Sequence, residues 1–559
     1  MIVQLFQTWL DEVLKKQVLD GSVDDGAFDE WGTGWYEGRH AAYTLGRLVA
    51  VRAFKGGSVF AKAGLDEAIL RGLDFVLRRQ NVRGELDLGG AYSPNEAGFP
   101  VPALAEGMKR LQGDPSCAAI CDRLQTFLLR AGEAILQGSA YTANHRWAAA
   151  AGPLACLNSL WPDDRYLQKI EDYLSDGIDC DEDGCWYEER SGIYSGVANY
   201  AMIVLAENLG RPELLDHVTR SLEFNLRCAQ PNGELDATFS HRQDRGQAER
   251  LLSGYQIPRR MAILTGRGDF AWLADRARSK GIHVEHELYP LLYEIEKYPG
   301  PLPTPTEPAT SYENHFRGIQ VFRKRVGPAA LTLSADRGGH YFDSVLDQWG
   351  GLRRSEDWFH LMHGEAVLQT IRFCPASGRP IQPDRLRVVD SGEFRLEGRM
   401  EHWMHTLHFR KGWPKIPMPV ALEHEIEIAW RGRELSLNLA VRSPQFLCGT
   451  LALWVRCAAE VREGGKLLEG FVPGRAMALQ GGLPVEIEAG GAKIEILGLP
   501  PADHRRHNVA PDCIPTHIHE HSAPLLLGLR LPVKLELKIR LSESAQPQIP
   551  TTRVNEPTV

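Results

Sequence analysis

The sequence lacks several features that would assign the protein to a well-marked class. It has no excess of basic residues, since its formal net charge at neutral pH is −9, and this gives no support for nucleic-acid binding. No window is apolar and long enough to span a bilayer, so we expect no membrane partner. There is also no phosphate-binding glycine motif and no low-complexity tract. An anionic substrate is not excluded, because a local arginine cluster can override the total charge.

The N-terminal residues and the cysteines indicate the cellular compartment in which the protein is expected. The first twenty residues have apolar side chains at helical spacing, which predicts an amphipathic helix. They lack the basic start, continuous apolar core and small-residue cleavage site of a signal peptide. The 10 cysteines are scattered, and neither Cys117/Cys121 nor Cys180/Cys185 has a matching pair at zinc-site spacing. We therefore expect reduced, structural thiols in a cytoplasmic protein.

A proline-rich run divides the chain into two regions of different hydrophobic period. A chain of 559 residues is too long for one core. Residues 1–298 have apolar positions at three- and four-residue spacing, which predicts helical hairpins arranged as an (α/α) toroid, incomplete or complete. Residues 299–311 predict a semi-rigid linker. Residues 312–542 alternate with period two and predict an antiparallel β-sandwich, followed by a polar, disordered tail at 543–559.

Aromatic and charged residues recur in every second loop of the helical region. Loops on one rim of a rigid scaffold commonly carry function. The candidates for substrate binding in these loops and on the helices they precede are Trp31, Trp35, Tyr92, Asn95, Arg146, Trp147, Glu189, Tyr200 and Arg242. Further candidates, in loops of the β region that could lean over the cleft, are His340, Trp349, Arg353 and His360. Core packing is the alternative interpretation for each aromatic side chain.

Two polar clusters organise this rim. The first is the heptapeptide YTANHRW at 141–147, just before an apolar helical run. The second is EERSGIY at 188–194, on a turn before another helical run. Each cluster has a structural alternative, in which Asn144 caps a helix and His145 packs half-buried.

The order of these motifs resembles that of the heparinase-like polysaccharide lyases, in an uncharacterised bacterial branch. The matching segments are 84–99 (GELDLGGAYSPNEAGF), 142–147, 183–194, and 338–343 (GGHYFD) with 349–351. The similarity as a whole extends over roughly residues 30–360. The resemblance implies a helical toroid followed by a β-sandwich, and β-elimination at a uronic acid, with glucuronate favoured, to give a 4,5-unsaturated product.

Elimination requires that the charge of the uronate carboxylate be offset before the proton at C5 can leave. Preorganised hydrogen-bond donors stabilise the enolate-like state that forms. Asn144 supplies a directed amide, and Arg146, or alternatively Arg190, supplies a bidentate guanidinium. These residues are therefore candidates for binding the carboxylate.

A base must remove the C5 proton, and an acid must protonate the departing oxygen. Histidine titrates near neutrality, so His145 and His241 are the candidates for the base. The resemblance implies a tyrosine as the acid, for which Tyr194 is the first choice and Tyr200 the second. We predict that Asn144, His145, Arg190, Tyr194 and His241 converge on one cleft.

A metal site and two other functions stay open at this point. His517, His519 and His521 would share one face of a strand and could hold zinc, and the resemblance allows a structural zinc or calcium ion; no other cofactor is expected. A glycoside hydrolase would need paired carboxylates, for which the candidates are Asp183, Glu188, Glu189 and Asp236. A non-catalytic glycan-binding protein would need only the aromatic residues. The sequence does not determine the linkage, the endo or exo mode, or the oligomeric state.

Overall fold

The computed structural model describes residues 2–30, 32–55, 63–138, 140, 144–187, 190–240, 244, 254–279, 284–335, 357–375, 380–404, 416–444, 447–503 and 518–544. Contacts divide the chain into two compact units. The first comprises Met1–Glu188, Gly192–Leu226 and Leu251–Pro308; the second comprises Glu189–Ser191, Arg227–Arg250 and Ala309–Val559. This division differs from the predicted one, because two segments from within the helical region belong to the second unit.

The first unit is helical. Its α-helices are α1 (Ile2–Lys15), α2 (Gly38–Ala53), α3 (Leu65–Arg79), α4 (Pro94–Gly98), α5 (Val101–Leu111), α6 (Ala118–Gln137), α7 (Gly152–Leu160), α8 (Asp164–Ser175), α9 (Gly192–Leu209), α10 (Leu215–Arg227), α11 (Gln256–Thr265), α12 (Gly268–Ser279) and α13 (Val284–Lys297). A π-helix, Asn144–Ala151, precedes α7, and a short hairpin, β1 (Leu86–Leu88) and β2 (Ala91–Ser93), precedes α4. Among the described helices, none is both long enough and apolar enough to cross a membrane.

Six of these helices form a closed inner ring. Helix α2 packs on α5, α5 on α7, α7 on α9, α9 on α11, α11 on α13, and α13 returns to α2. Helices α3, α6, α8 and α12 pack on this ring or on one another from the outside. Apolar residues at i, i+3 and i+4, such as Leu45, Leu48 and Val49 of α2, supply the buried face. The predicted helical toroid is confirmed, and it is complete.

The second unit is built from two antiparallel sheets. Its strands are β3 (Ser311–Phe316), β4 (Val321–Val326), β5 (Ala329–Ser334), β6 (Phe359–His363), β7 (Ala366–Pro375), β8 (Arg385–Asp390), β9 (Glu393–Met404), β10 (Ile416–Arg431), β11 (Glu434–Arg442), β12 (Leu447–Arg456), β13 (Glu460–Glu463), β14 (Lys466–Leu467), β15 (Met477–Ala478), β16 (Val485–Ala489), β17 (Ala492–Leu497), β18 (Ser522–Leu531) and β19 (Val533–Glu543). One sheet has the order β14-β13-β16-β17-β19-β11-β10-β9-β8, and the other β15-β18-β12-β7-β6-β5-β4-β3.

The core of this unit lies between the two sheets. Strand β10 shows the expected alternation, since Ile426 and Ile428 are buried while Glu423 and Glu427 are exposed. One continuous apolar cluster joins residues of both sheets, which is how a sandwich buries the inner faces. The predicted β-sandwich is confirmed. The short pair of β15 with β18 is parallel, and the other described pairs are antiparallel.

The segment 227–240 belongs to the β unit because buried ion pairs hold it there. Arg323 of β4 pairs with Asp236, and both side chains are almost wholly buried. Arg456 of β12 donates to both carboxylate oxygens of Glu234, at 3.1 and 3.0 Å. Buried charges are tolerated only when they are paired in this way. Asp236 also accepts from Thr332, so the prediction that it could serve a hydrolase as a free carboxylate is wrong.

Two further predictions in the β region are corrected. His360 lies within β6 and is buried, so it is a core residue and not part of a loop over a cleft. Residues Ile518–His521 form a short helix, α14, and not a strand, so the prediction of histidines on one face of a strand does not hold for this segment. His517 lies outside the described residues. Within the described part of the chain, no three metal-ligating side chains come together, and no disulfide joins the cysteines.

Candidate active site

The N-terminal ends of several inner helices lie at one end of the ring. Tyr289 of α13 lies near Tyr43 of α2, and Glu296, further along α13, accepts from the backbone N–H of Lys55, so α2 and α13 run in the same direction. Tyr289 also contacts Tyr200 of α9. At the other end, Lys297 pairs with Glu207 of α9 at 2.6 Å, so α9 is parallel to both. Helix N-termini carry unpaired N–H groups and partial positive charge, which favours an anionic ligand at this end.

The first polar cluster forms the start of a π-helix. Asn144 and His145 are its first residues, whereas the sequence pattern predicted an α-helix beginning near Ala148. Pro153 explains the change of register, because it has no N–H to donate to the carbonyl of Ala149. Gly98 of α4 lies against that carbonyl so closely that a Cβ at Gly98 would be 1.8 Å from it. π-Helical turns are rare and frequently occur at functional sites.

Arg146 and Trp147 anchor this π-helix and are not available to a substrate. Trp147 is fully buried, and its Nε1 donates to Asp179 Oδ2 at 3.1 Å. The Arg146 guanidinium donates to the carbonyl of Gly177 at 3.2 Å and lies 3.7 Å from Asp179 Oδ1. A ring without an exposed face cannot stack on a sugar, so the predicted binding role of Trp147 is wrong. The geometry assigns Arg146 the same anchoring role, which leaves Arg190 as the predicted clamp.

His145 is half-buried and packs against a cluster that the sequence reading did not single out. The edge of Phe99 meets its imidazole, with 5.8 Å between ring centroids. The guanidinium of Arg39 lies 5.2 Å from the centre of the Phe99 ring and pairs with Glu96 at 2.7 Å. Arg39 belongs to the first turn of α2, shortly after the predicted binding residue Trp35, so its position in the rim could have been recognised.

Tyr194 lies in the first turn of α9, half-buried, and neighbours Tyr43 of α2. Burial raises the pKa of Tyr43, a hydrogen bond from Arg39 lowers it, and the neighbouring phenol of Tyr194 raises it. Arg39 therefore contacts both Phe99, which packs on His145, and Tyr43, which neighbours Tyr194. The structure brings His145, the predicted base, and Tyr194, the predicted acid, to one small set of side chains.

Tyr200 lies almost two turns further along α9. Its ring meets Tyr289 edge to face, with centroids 6.0 Å apart, and the two hydroxyls are hydrogen-bonded. Burial raises the pKa of Tyr200 well above its ordinary value. A phenol that is already paired inside the ring is less suited than Tyr194 to meet a substrate.

Arg190 lies on a strained turn that a buried carboxylate fixes. Its φ of 49° is unusual for a residue other than glycine, and such strain clusters at functional sites. The next residue, Ser191, donates to Asp244 Oδ2 at 2.9 Å. Ser240 donates to the other oxygen, at 2.5 Å. Asp244 therefore ties the turn of Arg190 to the residues that flank position 241, and the sequence reading missed it.

The remaining candidates that the structure describes, Trp35, Tyr92 and Asn95, differ in exposure. Trp35 is 65% exposed and Tyr92 is 46% exposed, so both offer a ring face. Asn95 is half-buried in the first turn of α4, where its N–H donates to Ser93 Oγ. Trp31, Glu188, Glu189, His241, Arg242, His340, Trp349 and Arg353 lie outside the described residues. The predicted convergence of His241 and Arg190 with His145 and Tyr194 stays a prediction.

Replacing Gly98 by alanine should disturb the π-helix that carries Asn144 and His145. The new methyl group would overlap the Ala149 carbonyl, so one backbone must move, and overpacking of this kind costs about 1–3 kcal/mol. We expect a lower free energy of unfolding in urea and a loss of activity in the assay given below. Gly300→Ala is the matched control, because a Cβ there has no neighbour within 4 Å. Equal behaviour of the two variants would contradict the close contact.

Comparison with known proteins identifies the fold. No protein-family model and no curated protein matches the sequence. Among solved structures, chondroitin AC lyase of Streptomyces coelicolor A3 in complex with chondroitin sulphate matches at 13% identity and a TM-score of 0.58, over 97% of this chain and 79% of that one. A mutant of heparan sulfate lyase HepC from Pedobacter heparinus matches at 9% identity and a TM-score of 0.54, and the match covers 98% of this chain and 84% of that one. Heparinase III matches at 9% identity and a TM-score of 0.55, and the match covers 87% of this chain and 75% of that one. The chain has the fold of the heparinase-like polysaccharide lyases, as its motifs predicted.

Proposed function

We propose that this protein is a polysaccharide or oligosaccharide lyase that cleaves a uronate-containing glycan by β-elimination, with glucuronate favoured. One observation carries the proposal: His145 and Tyr194 lie at the N-terminal end of a closed helical ring, connected through Phe99, Arg39 and Tyr43. The fold is shared with proteins named as lyases of chondroitin and heparan sulfate, which supports a glycan as the substrate.

The carboxylate of the substrate is assigned to the positive end of the ring. Asn144, at the first position of the π-helix, supplies an amide donor. Arg190 is the candidate that the sequence offers for the guanidinium. Helix N-termini add unpaired N–H groups of the same polarity. Donors that are already oriented stabilise the charge that moves onto the carboxylate when the C5 proton leaves.

The two proton transfers are assigned to His145 and Tyr194. The neutral imidazole takes the C5 proton, the electron pair of that C–H bond forms the C4–C5 double bond, and the C4–O bond breaks. The Tyr194 hydroxyl gives its proton to the departing oxygen. His241 is the alternative base. Water does not enter the products, which distinguishes this reaction from hydrolysis.

The test follows the ultraviolet absorbance of the unsaturated product. Purified protein is incubated with a panel of glucuronate, galacturonate, iduronate and mannuronate oligosaccharides, and absorbance of the conjugated double bond is recorded with time. The proposal expects absorbance to rise with at least one of them. Release of saturated reducing ends without absorbance would identify a hydrolase, for which Asp183 and the acids at 188–189 would be examined next.

A further inference from the structure

Three aromatic side chains stand out among the large apolar side chains that the described part of the chain exposes. They are Trp35, Tyr92 and Tyr187, and each lies in a segment that leads into a helix at the functional end of the ring. Singly exposed aromatic residues are ordinary on a protein surface. Trp35 and Tyr92 differ from that case, because the segments that carry them are fixed by buried carboxylates.

Glu37 is the first of these carboxylates. It is only 7% exposed, and its Oε1 accepts from the indole Nε1 of Trp35 at 2.9 Å and from the backbone N–H of Gly89 at 2.6 Å. Its Oε2 lies 2.7 Å from His40 Nδ1. Gly89 is in the turn of the β1–β2 hairpin. One carboxylate therefore holds the Trp35 ring and the hairpin that carries Tyr92.

Asp87 is the second carboxylate and fixes the hairpin to the same helix. It accepts from the backbone N–H of Gly38, the first residue of α2, at 3.0 Å, and from Arg79 at 2.6 Å. In the hairpin register Asp87 lies opposite Tyr92. Both exposed rings are thus attached to the start of α2, beside Arg39.

The exposed part of the Trp35 ring contributes little to folding. An indole that is 65% exposed buries little apolar surface, and holding it in one orientation costs side-chain entropy. Preorganised groups lose less freedom when a ligand binds, so an oriented and exposed ring is suited to binding.

We propose that Trp35 and Tyr92 form a glycan subsite for a neutral pyranose, next to the cleavage site rather than within it. The Trp35 N–H already donates to Glu37, so the ring can offer a ligand only its face. Aromatic faces carry partial negative charge, which attracts the C–H groups of a sugar. The inference that this subsite extends the cleavage site rests on the proposed function.

The charges around the subsite favour a neutral sugar over a second uronate. The Glu37 carboxylate accepts the N–H at the edge of the Trp35 ring, and its negative charge would repel an anionic substituent placed beside that edge. Arg39 and Arg79 each have a carboxylate partner nearby, since Arg39 pairs with Glu96 and Arg79 with Asp87. Burial lowers the pKa of His40, which disfavours its cationic form. The substrate we infer is therefore a glycan in which uronate alternates with neutral sugars.

The test compares substrates of different length. Wild type, Trp35→Ala and Tyr92→Ala are assayed on alternating uronate–neutral oligosaccharides of two, four and six residues. The measured quantity is the KM of the longest substrate divided by the KM of the shortest substrate that is cleaved. We expect this ratio to be about 3- to 10-fold higher in each variant than in wild type, which is the usual effect of losing one aromatic contact. Leu264→Ala, which also truncates a 46% exposed side chain but at the C-terminal end of α11, should leave the ratio unchanged. An unchanged ratio in both aromatic variants would overturn the proposal.

A binding experiment separates this inference from the proposed reaction. Calorimetric titration of wild type and Trp35→Ala with a neutral gluco-oligosaccharide of six residues, and with an all-uronate oligosaccharide of the same length, needs no turnover. We expect wild type to bind the neutral sugar, and Trp35→Ala to bind it about 3- to 10-fold more weakly, even if no elimination is found. Equal binding of the neutral sugar by both proteins, or a loss of affinity in Trp35→Ala that is larger for the all-uronate sugar than for the neutral one, would refute a neutral subsite at these rings.

Discussion

Replacing Tyr194 by phenylalanine should lower kcat about 10²–10⁴-fold, the usual contribution of a general acid. The ring stays, so the packing of this half-buried side chain in the first turn of α9 is kept and only the hydroxyl is lost. We expect KM and the free energy of unfolding to remain close to the wild-type values. The measurement is the rate of absorbance increase of the unsaturated product, with urea unfolding as the check on folding.

Two further variants test the proposed base and the alternative acid. His145→Ala should lower kcat by a similar factor if the imidazole is the base; if it does not, His241 takes that role. Tyr200→Phe removes a hydroxyl that is hydrogen-bonded to Tyr289 inside the ring, and we expect only a few-fold change in kcat. A large loss in Tyr200→Phe with little change in Tyr194→Phe would exchange the roles of the two tyrosines.

Replacing Arg323 by methionine should lower the free energy of unfolding by about 3–5 kcal/mol, because the carboxylate of Asp236 would be left buried without its partner. The same change should release the segment 227–240 from the β unit, since Arg323 also donates to the carbonyl of Arg227 at 3.1 Å. Denaturant unfolding of purified wild type and variant gives the difference. Arg431→Met is the matched control, because its pair with Glu393 is exposed and should contribute about 0–1 kcal/mol.

The double variant Arg323→Met with Asp236→Leu should recover most of the loss, since it leaves no unpaired charge in the core. No recovery would indicate that Arg323 acts mainly through its other contacts. Both measurements need only folded protein and do not depend on the proposed reaction.

The same pair predicts how stability depends on pH. Burial acts to raise the pKa of Asp236, but Arg323 and the hydrogen bonds outweigh it, so the folded-state pKa lies below the ordinary value. The ion pair therefore stabilises the fold fully above about pH 4, the unfolded-state pKa, and this contribution is lost as pH falls through the lower folded-state pKa. The difference in unfolding free energy between wild type and Arg323→Met should shrink as the pH falls, and it should begin to do so above about pH 4, because burial without Arg323 raises the pKa of Asp236 in the folded variant and favours its neutral form. A difference that grows on acidification would contradict the sign of the shift.

The sequence by itself determined the order and kind of the secondary structure. Hydrophobic period is a local property, so a period near 3.6 up to α13 and a period of two from β3 onward were enough to predict a helical region followed by a sandwich. The order of the motifs, which is also read along the chain, was enough to indicate the lyase fold. Asn144, His145 and Tyr194 were predicted as site residues in the same way, because polar clusters at the starts of apolar helical runs are visible in sequence.

Only the tertiary structure decided how those side chains are used. Trp147 is an anchor because Asp179, 32 residues away, accepts its N–H, and Asp236 is an ion-pair partner because Arg323, 87 residues away, lies against it. The close approach of Gly98 to the carbonyl of Ala149, and the packing of α13 on α2 that closes the ring, likewise join residues that are far apart in the sequence. No local pattern encodes such partners, since burial and pairing depend on residues that the chain brings together only when it folds.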